Sequence, residues 1–128
     1  MAQILHIEPD SLLAETYTAS LELAGHSVDA VTSAQAGIHA ADKITPDLVL
    51  LELQLVEHSG VEFLYEFRSY PEWQSIPVIV LSNVPPAEFS GSHDLLTHEL
   101  GVQAYQYKPQ TSLRQLLALI NELAAVAT

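Results

Sequence analysis

The chain has 128 residues, 48% of them hydrophobic, no cysteine, and a formal net charge of −12 from sixteen acids and four bases. That length suits one domain with a sizeable core, and the missing cysteine rules out disulfides and thiolate metal sites. The acidity argues against direct contact with nucleic acid or an anionic membrane, both of which call for a basic surface.

Strand and helix signals alternate along the chain. Gln3 to Ile7 is a short apolar run that stops at Glu8-Pro9-Asp10. Leu13, Tyr17, Leu21 and Ala24 then recur at helical spacing. Asp10 or Ser11 can cap that helix, and Gly25 ends it. Ser27 to Val31 reads as a second strand, and Ser33 opens a short Ala-rich helix to about Ala41. Leu48 to Leu51 is apolar on both faces, as a central parallel strand should be, with Glu52 at its C-terminal end. Val61, Phe63, Leu64 and Phe67 make a third helix closed by Pro71, and Trp73 in the following loop suits a local packing anchor. Val78 to Leu81 is the fourth strand and ends in Ser82-Asn83. Pro85-Pro86 starts an irregular helical stretch to about Leu100, broken by Ser90-Gly91-Ser92. Val102 to Tyr107 is the fifth strand, followed by Lys108-Pro109. Thr111 is placed to cap a last helix with Leu113, Leu116, Leu117 and Ile120 on one face.

Strands that alternate with helices require crossover connections, hence a parallel sheet covered on both faces. The expected fold is α/β: a flavodoxin-like, doubly wound five-stranded parallel sheet, order 2-1-3-4-5. One domain is expected over residues 1–128, with no output domain because the last helix runs to the terminus. The N-terminus lacks a basic signal-peptide region, and no apolar run is long enough to cross a bilayer. A cytoplasmic location is the expectation.

Sites on open α/β sheets form beyond the carboxyl ends of the strands. The residues there are Glu8, Asp10, Glu52, Ser82, Asn83 and Lys108. With Ile4 to Pro9, Pro46 to Leu55, Gly60, Pro77 to Asn83 and Ala104 to Pro109 in that order, the chain resembles the CheY-like receiver family of two-component response regulators. The family carries an acidic pair after strand one, a phosphoacceptor Asp after strand three, a Ser or Thr after strand four and a Lys-Pro after strand five. The resemblance implies that Glu52 stands at the phosphoacceptor position and that Ser82 and Lys108 are the phosphate-contact residues. It implies that Tyr105 is the switch aromatic, which turns inward on activation; the alternative is an ordinary strand aromatic. It also implies that Glu8, Asp10, Glu52 and the Gln54 backbone carbonyl are the candidate magnesium ligands. The partner would be a histidine kinase or a downstream signalling protein. A homodimer would form through the face of helix four, strand five and helix five.

Two departures from the family matter. The acceptor position holds Glu, and the second acid of the pair is Pro9, which offers magnesium no carboxylate. Asp10 could reach inward instead, or simply cap the helix. The extra methylene of Glu52 moves its oxygens by more than about 1 Å, a displacement that can cost roughly 100-fold in rate. Efficient phosphorylation is therefore not expected, no cofactor is expected beyond a magnesium ion whose binding Pro9 weakens, and no enzymatic turnover is expected. The longer side chain can instead reach Ser82 or Lys108, either imitating the phosphorylated state or merely neutralising a buried lysine. The alternative is a working phosphoacceptor, phosphorylated at Glu52 and slowly autodephosphorylating.

Other readings fit less well. A phosphatase with the two-acid spacing of Glu8-Pro9-Asp10 would need Asp first, and a flavin or nucleotide phosphate would be repelled by this acidic loop. The six histidines, His6, His26, His39, His58, His93 and His98, are scattered and do not suggest zinc.

Overall fold

The computed structural model describes residues 2–127. Five parallel strands form one sheet: β1 (Gln3–Ile7), β2 (Ser27–Val31), β3 (Leu48–Leu51), β4 (Val78–Ser82) and β5 (Val102–Tyr107), in the order β2-β1-β3-β4-β5. The expected topology is thus the observed one. Among the described residues four α-helices complete the layers: α1 (Ser11–Leu23), α2 (Ala34–Lys43), α3 (Gly60–Ser69) and α4 (Leu113–Ala127).

The connection between β4 and β5 is different in kind. It forms a 3₁₀ helix over Pro86–Ser92 and a π-helical turn over Leu95–Glu99 instead of an α-helix. Its sequence explains this. Pro85 and Pro86 sit at the N-cap and first position and only mark its start, whereas Ser90-Gly91-Ser92 within it are weak α-helix formers. Arg68 ties its end down, its guanidinium donating to the carbonyls of Leu100, Trp73 and Gly101 at 2.9, 2.7 and 3.1 Å.

Alternate residues of each central strand feed two apolar layers. Leu5, Ile7, Val49, Leu51, Val78 and Val80 meet α2 and α3 around Phe63, Phe67 and Trp73. Phe67 stacks between Phe63 and Trp73, with ring centroids 5.2 and 5.0 Å away, so Trp73 is the packing anchor expected. On the other face Ile4, Leu48, Leu50, Ile79 and Leu81 meet Leu21 of α1 and Leu116, Ile120 and Ala124 of α4.

The caps hold with small corrections. The Asp10 carboxylate accepts from Leu13 N–H, and the Ser33 hydroxyl from Ala36 N–H. The last helix is capped by Ser112, not Thr111. The Ser112 hydroxyl accepts from Gln115 N–H while Gln115 Oε1 accepts from Ser112 N–H. The Thr111 hydroxyl is spent on the Tyr107 carbonyl at 2.8 Å. Leu113, assigned from sequence to the buried face, is 39% exposed because the helix has only just begun there.

Candidate functional site

The carboxyl ends of β1, β3, β4 and β5 lie along one edge of the sheet and deliver Glu8, Glu52, Ser82 and Lys108 to a single point. The ladder runs one residue past each strand: Glu52 N–H donates to Ile7 C=O at 3.0 Å, and Glu8 N–H to Val31 C=O at 2.9 Å. The first turn of α3 presses on the same spot. A Cβ built on Gly60 would lie 2.8 Å from the Glu52 carbonyl oxygen and 2.8 Å from Leu53 Cα, so only glycine allows this approach.

Glu52 is the hub. Its Oε1 accepts from Lys108 Nζ at 2.8 Å and from Asn83 N–H at 3.2 Å. Its Oε2 accepts from Gln54 N–H at 3.1 Å and from the Ser82 hydroxyl. Lys108 Nζ also donates to Glu8 Oε1, and Glu8 Oε2 accepts from Asp10 N–H at 3.1 Å. The ammonium thus bridges two carboxylates. All three side chains are buried, so charge is desolvated here and pairing is what makes burial tolerable.

The ionisation of the cluster follows from its contacts. Burial pushes the Glu52 carboxyl up, but Lys108, the Ser82 hydroxyl and the Gln54 amide together outweigh it and leave the group below its ordinary value. Burial likewise lowers the Lys108 ammonium, and its bonds to Glu52 and Glu8 more than reverse that. Next to the cluster lies His6 of β1, fully buried, with neither ring nitrogen hydrogen-bonded. Its ring meets Tyr17 edge-on at 5.7 Å. Burial, and then the charge of Lys108, lower its pKa to about 4, with Glu52 opposing. His6 is therefore a neutral ring at neutral pH.

Of the residues singled out from sequence, Glu8, Glu52, Ser82 and Lys108 meet, and Asp10 does not. Asp10 is exposed, and its carboxylate is occupied as the α1 cap while only its backbone N–H touches the cluster. Asp10 has the extended backbone of an N-cap, φ −84° and ψ 104°, and that position commits its carboxylate to the start of α1. Magnesium needs near-octahedral oxygen ligands. Here every oxygen of the two buried carboxylates already accepts from a donor, and an ammonium sits between them. The donor set does not fit the ion. Among the described residues no group of three acidic, His or Cys side chains is arranged to hold a metal.

Tyr105 joins the site at Ser82, whose hydroxyl lies within hydrogen-bonding reach of the Tyr105 hydroxyl, and at Val84. The Ser82 hydroxyl accepts from Val84 N–H at 3.0 Å, and the Val84 carbonyl accepts from the Tyr105 hydroxyl at 2.7 Å. Ser82 and the two main-chain groups of Val84 thus link Glu52 to the Tyr105 ring on β5. Sequence reasoning did not find the Val84 main-chain groups or the Gln54 amide, because main-chain donors and acceptors carry no residue signature.

The family model for the response regulator receiver domain matches residues 4–121. The KDP operon transcriptional regulatory protein KdpE of Escherichia coli is 29% identical over 121 residues, covering 90% of this chain and 52% of that protein. The DNA-binding dual master transcriptional regulator RpaA of Synechocystis is 26% identical over 90% of this chain and 50% of its own length. The chain therefore spans about half the length of these curated relatives. Among solved structures, a CheY-like receiver domain protein from Methanospirillum hungatei superposes with a TM-score of 0.86 at 21% identity, covering 99% of this chain and 96% of that one.

Proposed function

This chain belongs to the response regulator receiver domain family, and we propose that it signals through protein contacts without efficient phosphorylation. In this reading Glu52 takes the place of a phosphorylated acid. One observation carries it: the Glu52 carboxylate accepts from the Ser82 hydroxyl and the Lys108 ammonium at the same time. These are the two side chains that, by family resemblance, a phosphoryl group would engage. The Tyr105 hydroxyl held on Val84 is the downstream end of the same arrangement.

Lys108 takes over the counter-charge that magnesium would supply, so no cofactor is needed. Phosphoryl transfer depends on positioning and charge neutralisation, and the Glu52 oxygens are already spent on four donors. The partner is a protein, either a histidine kinase or a downstream signalling protein. The surface formed by residues 86–99, β5 and α4 is the proposed docking face, for a partner or a second copy. Its 3₁₀ and π geometry would help to set partner choice.

Incubation with acetyl phosphate and magnesium, followed by intact-mass measurement, tests the reading. The expected result is no mass gain for the wild type and none for Glu52→Asp, since Pro9 remains. Labelling is expected only when Glu52→Asp is combined with Pro9→Asp. Wild-type labelling that vanishes in Glu52→Ala would overturn the proposal in favour of a slow phosphoacceptor.

A further inference from the structure

The two edges of the sheet are protected differently. On β5 the pairing register shifts between Val78 and Ile79 of its neighbour, an irregularity of the kind that discourages a further strand. The other edge strand, β2, pairs with β1 in unbroken register from Ser27 to Val31 and contains no proline and no lysine. Ser27 N–H donates to Ala2 C=O, and Val31 C=O accepts from Glu8 N–H, so the odd-numbered residues spend their main-chain groups on β1. Val28 and Ala30 consequently direct their amides and carbonyls outward, away from the sheet.

A groove of about 360 Å³ runs beside this ledge, between β2 and α1. Ala14, Ala19, Ala30 and Val31 give it a largely apolar lining of short side chains, and Glu15 and Glu22 of α1 stand on it as exposed acids. No lysine or arginine lines it. We propose that the β2 edge and this groove form a second docking surface, one that takes an extended, basic segment of another protein as an added strand. The outward groups of Val28 and Ala30 would pair with the segment's backbone. Its small apolar side chains would enter the groove, and its lysines or arginines would face Glu15 and Glu22. A second copy of this chain is a poor occupant, since β2 against β2 would bring the same acids together on two molecules of net charge −12. The proposal is independent of the Glu52 site.

The test uses a seven-residue peptide of alternating valine and lysine and a counterpart with glutamate for lysine, titrated at low salt with backbone amide NMR of the full chain. The expected result is saturable shifts for the lysine peptide at Val28, Ala30, Thr32 and Ala19, and none for the glutamate peptide. Ala30→Pro removes one outward donor and is tolerated on an edge strand. It should weaken binding about three- to tenfold, the worth of one main-chain hydrogen bond. The exposed double variant Glu15→Lys/Glu22→Lys should abolish binding of the lysine peptide with the fold intact. Shifts spread over the acidic surface, an unchanged affinity in Ala30→Pro, or concentration-dependent dimerisation through β2 would overturn the proposal.

Discussion

The two faces of the sheet stabilise the same strands by different chemistry. The face under α2 and α3 is aliphatic and aromatic, centred on the Phe63–Phe67–Trp73 stack. The face under α1 and α4 also carries a buried, unbonded histidine, His6, with Tyr17 against it, and it adjoins the Glu8–Lys108–Glu52 cluster. Apolar burial is indifferent to protons, whereas buried ionisable groups couple folding to pH. One half of the core should therefore behave alike at every pH, and the other should not.

The largest expected effects come from one substitution on each side. Lys108→Met leaves two buried carboxylates without their counter-charge and should cost about 3–5 kcal/mol near neutral pH. Without Lys108 the Glu52 carboxyl loses a contact that holds it below its ordinary value, so the deficit should shrink as pH falls and Glu52 protonates. Phe67→Ala should cost a similar amount, about 3–5 kcal/mol, but the same at every pH. Urea unfolding of both variants across pH separates the two behaviours, and a pH-independent Lys108→Met deficit would erase the contrast.

His6 gives the next effect. Its pKa falls from 6.5 to about 4 on folding, so the unfolded chain binds the extra proton first. The stability it contributes is complete above pH 6.5 and is lost as pH falls through that window toward 4. At about 1.4 kcal/mol per unit, the loss is on the order of 3 kcal/mol. His6→Phe keeps an edge-on ring against Tyr17 and should flatten this part of the profile. Glu52, held below its ordinary value, contributes stability above the normal carboxylate range that disappears only in stronger acid. The smallest effect is expected from Tyr105→Phe, about 0.5–1.5 kcal/mol for the lost bond to Val84, with no pH dependence between those limits.

The strands, their order and the meeting of Glu8, Glu52, Ser82 and Lys108 were legible in the sequence. Apolar runs ending in polar residues mark parallel strands, and the topology then brings their ends together. Asp10 was ambiguous because a carboxylate after a strand can serve a site or a helix start, and only the path of the chain past Pro9 decides. Thr111 and Ser112 are adjacent hydroxyls, and a one-residue choice of cap depends on backbone geometry that composition does not encode. Between β4 and β5 the prolines and glycine forecast irregularity but not the 3₁₀ and π turns. His6 looked like one of several scattered histidines. Its unbonded burial beside Lys108 is a property of packing, invisible to spacing.

Backbone amide NMR during titration with magnesium and beryllofluoride, which together imitate a bound phosphoryl group, tests the central claim most directly. If Glu52 already occupies the Ser82 and Lys108 contacts, the amides of Asn83, Val84 and Tyr105 should not move. Saturable shifts at those three positions, absent in Glu52→Ala, would contradict the account.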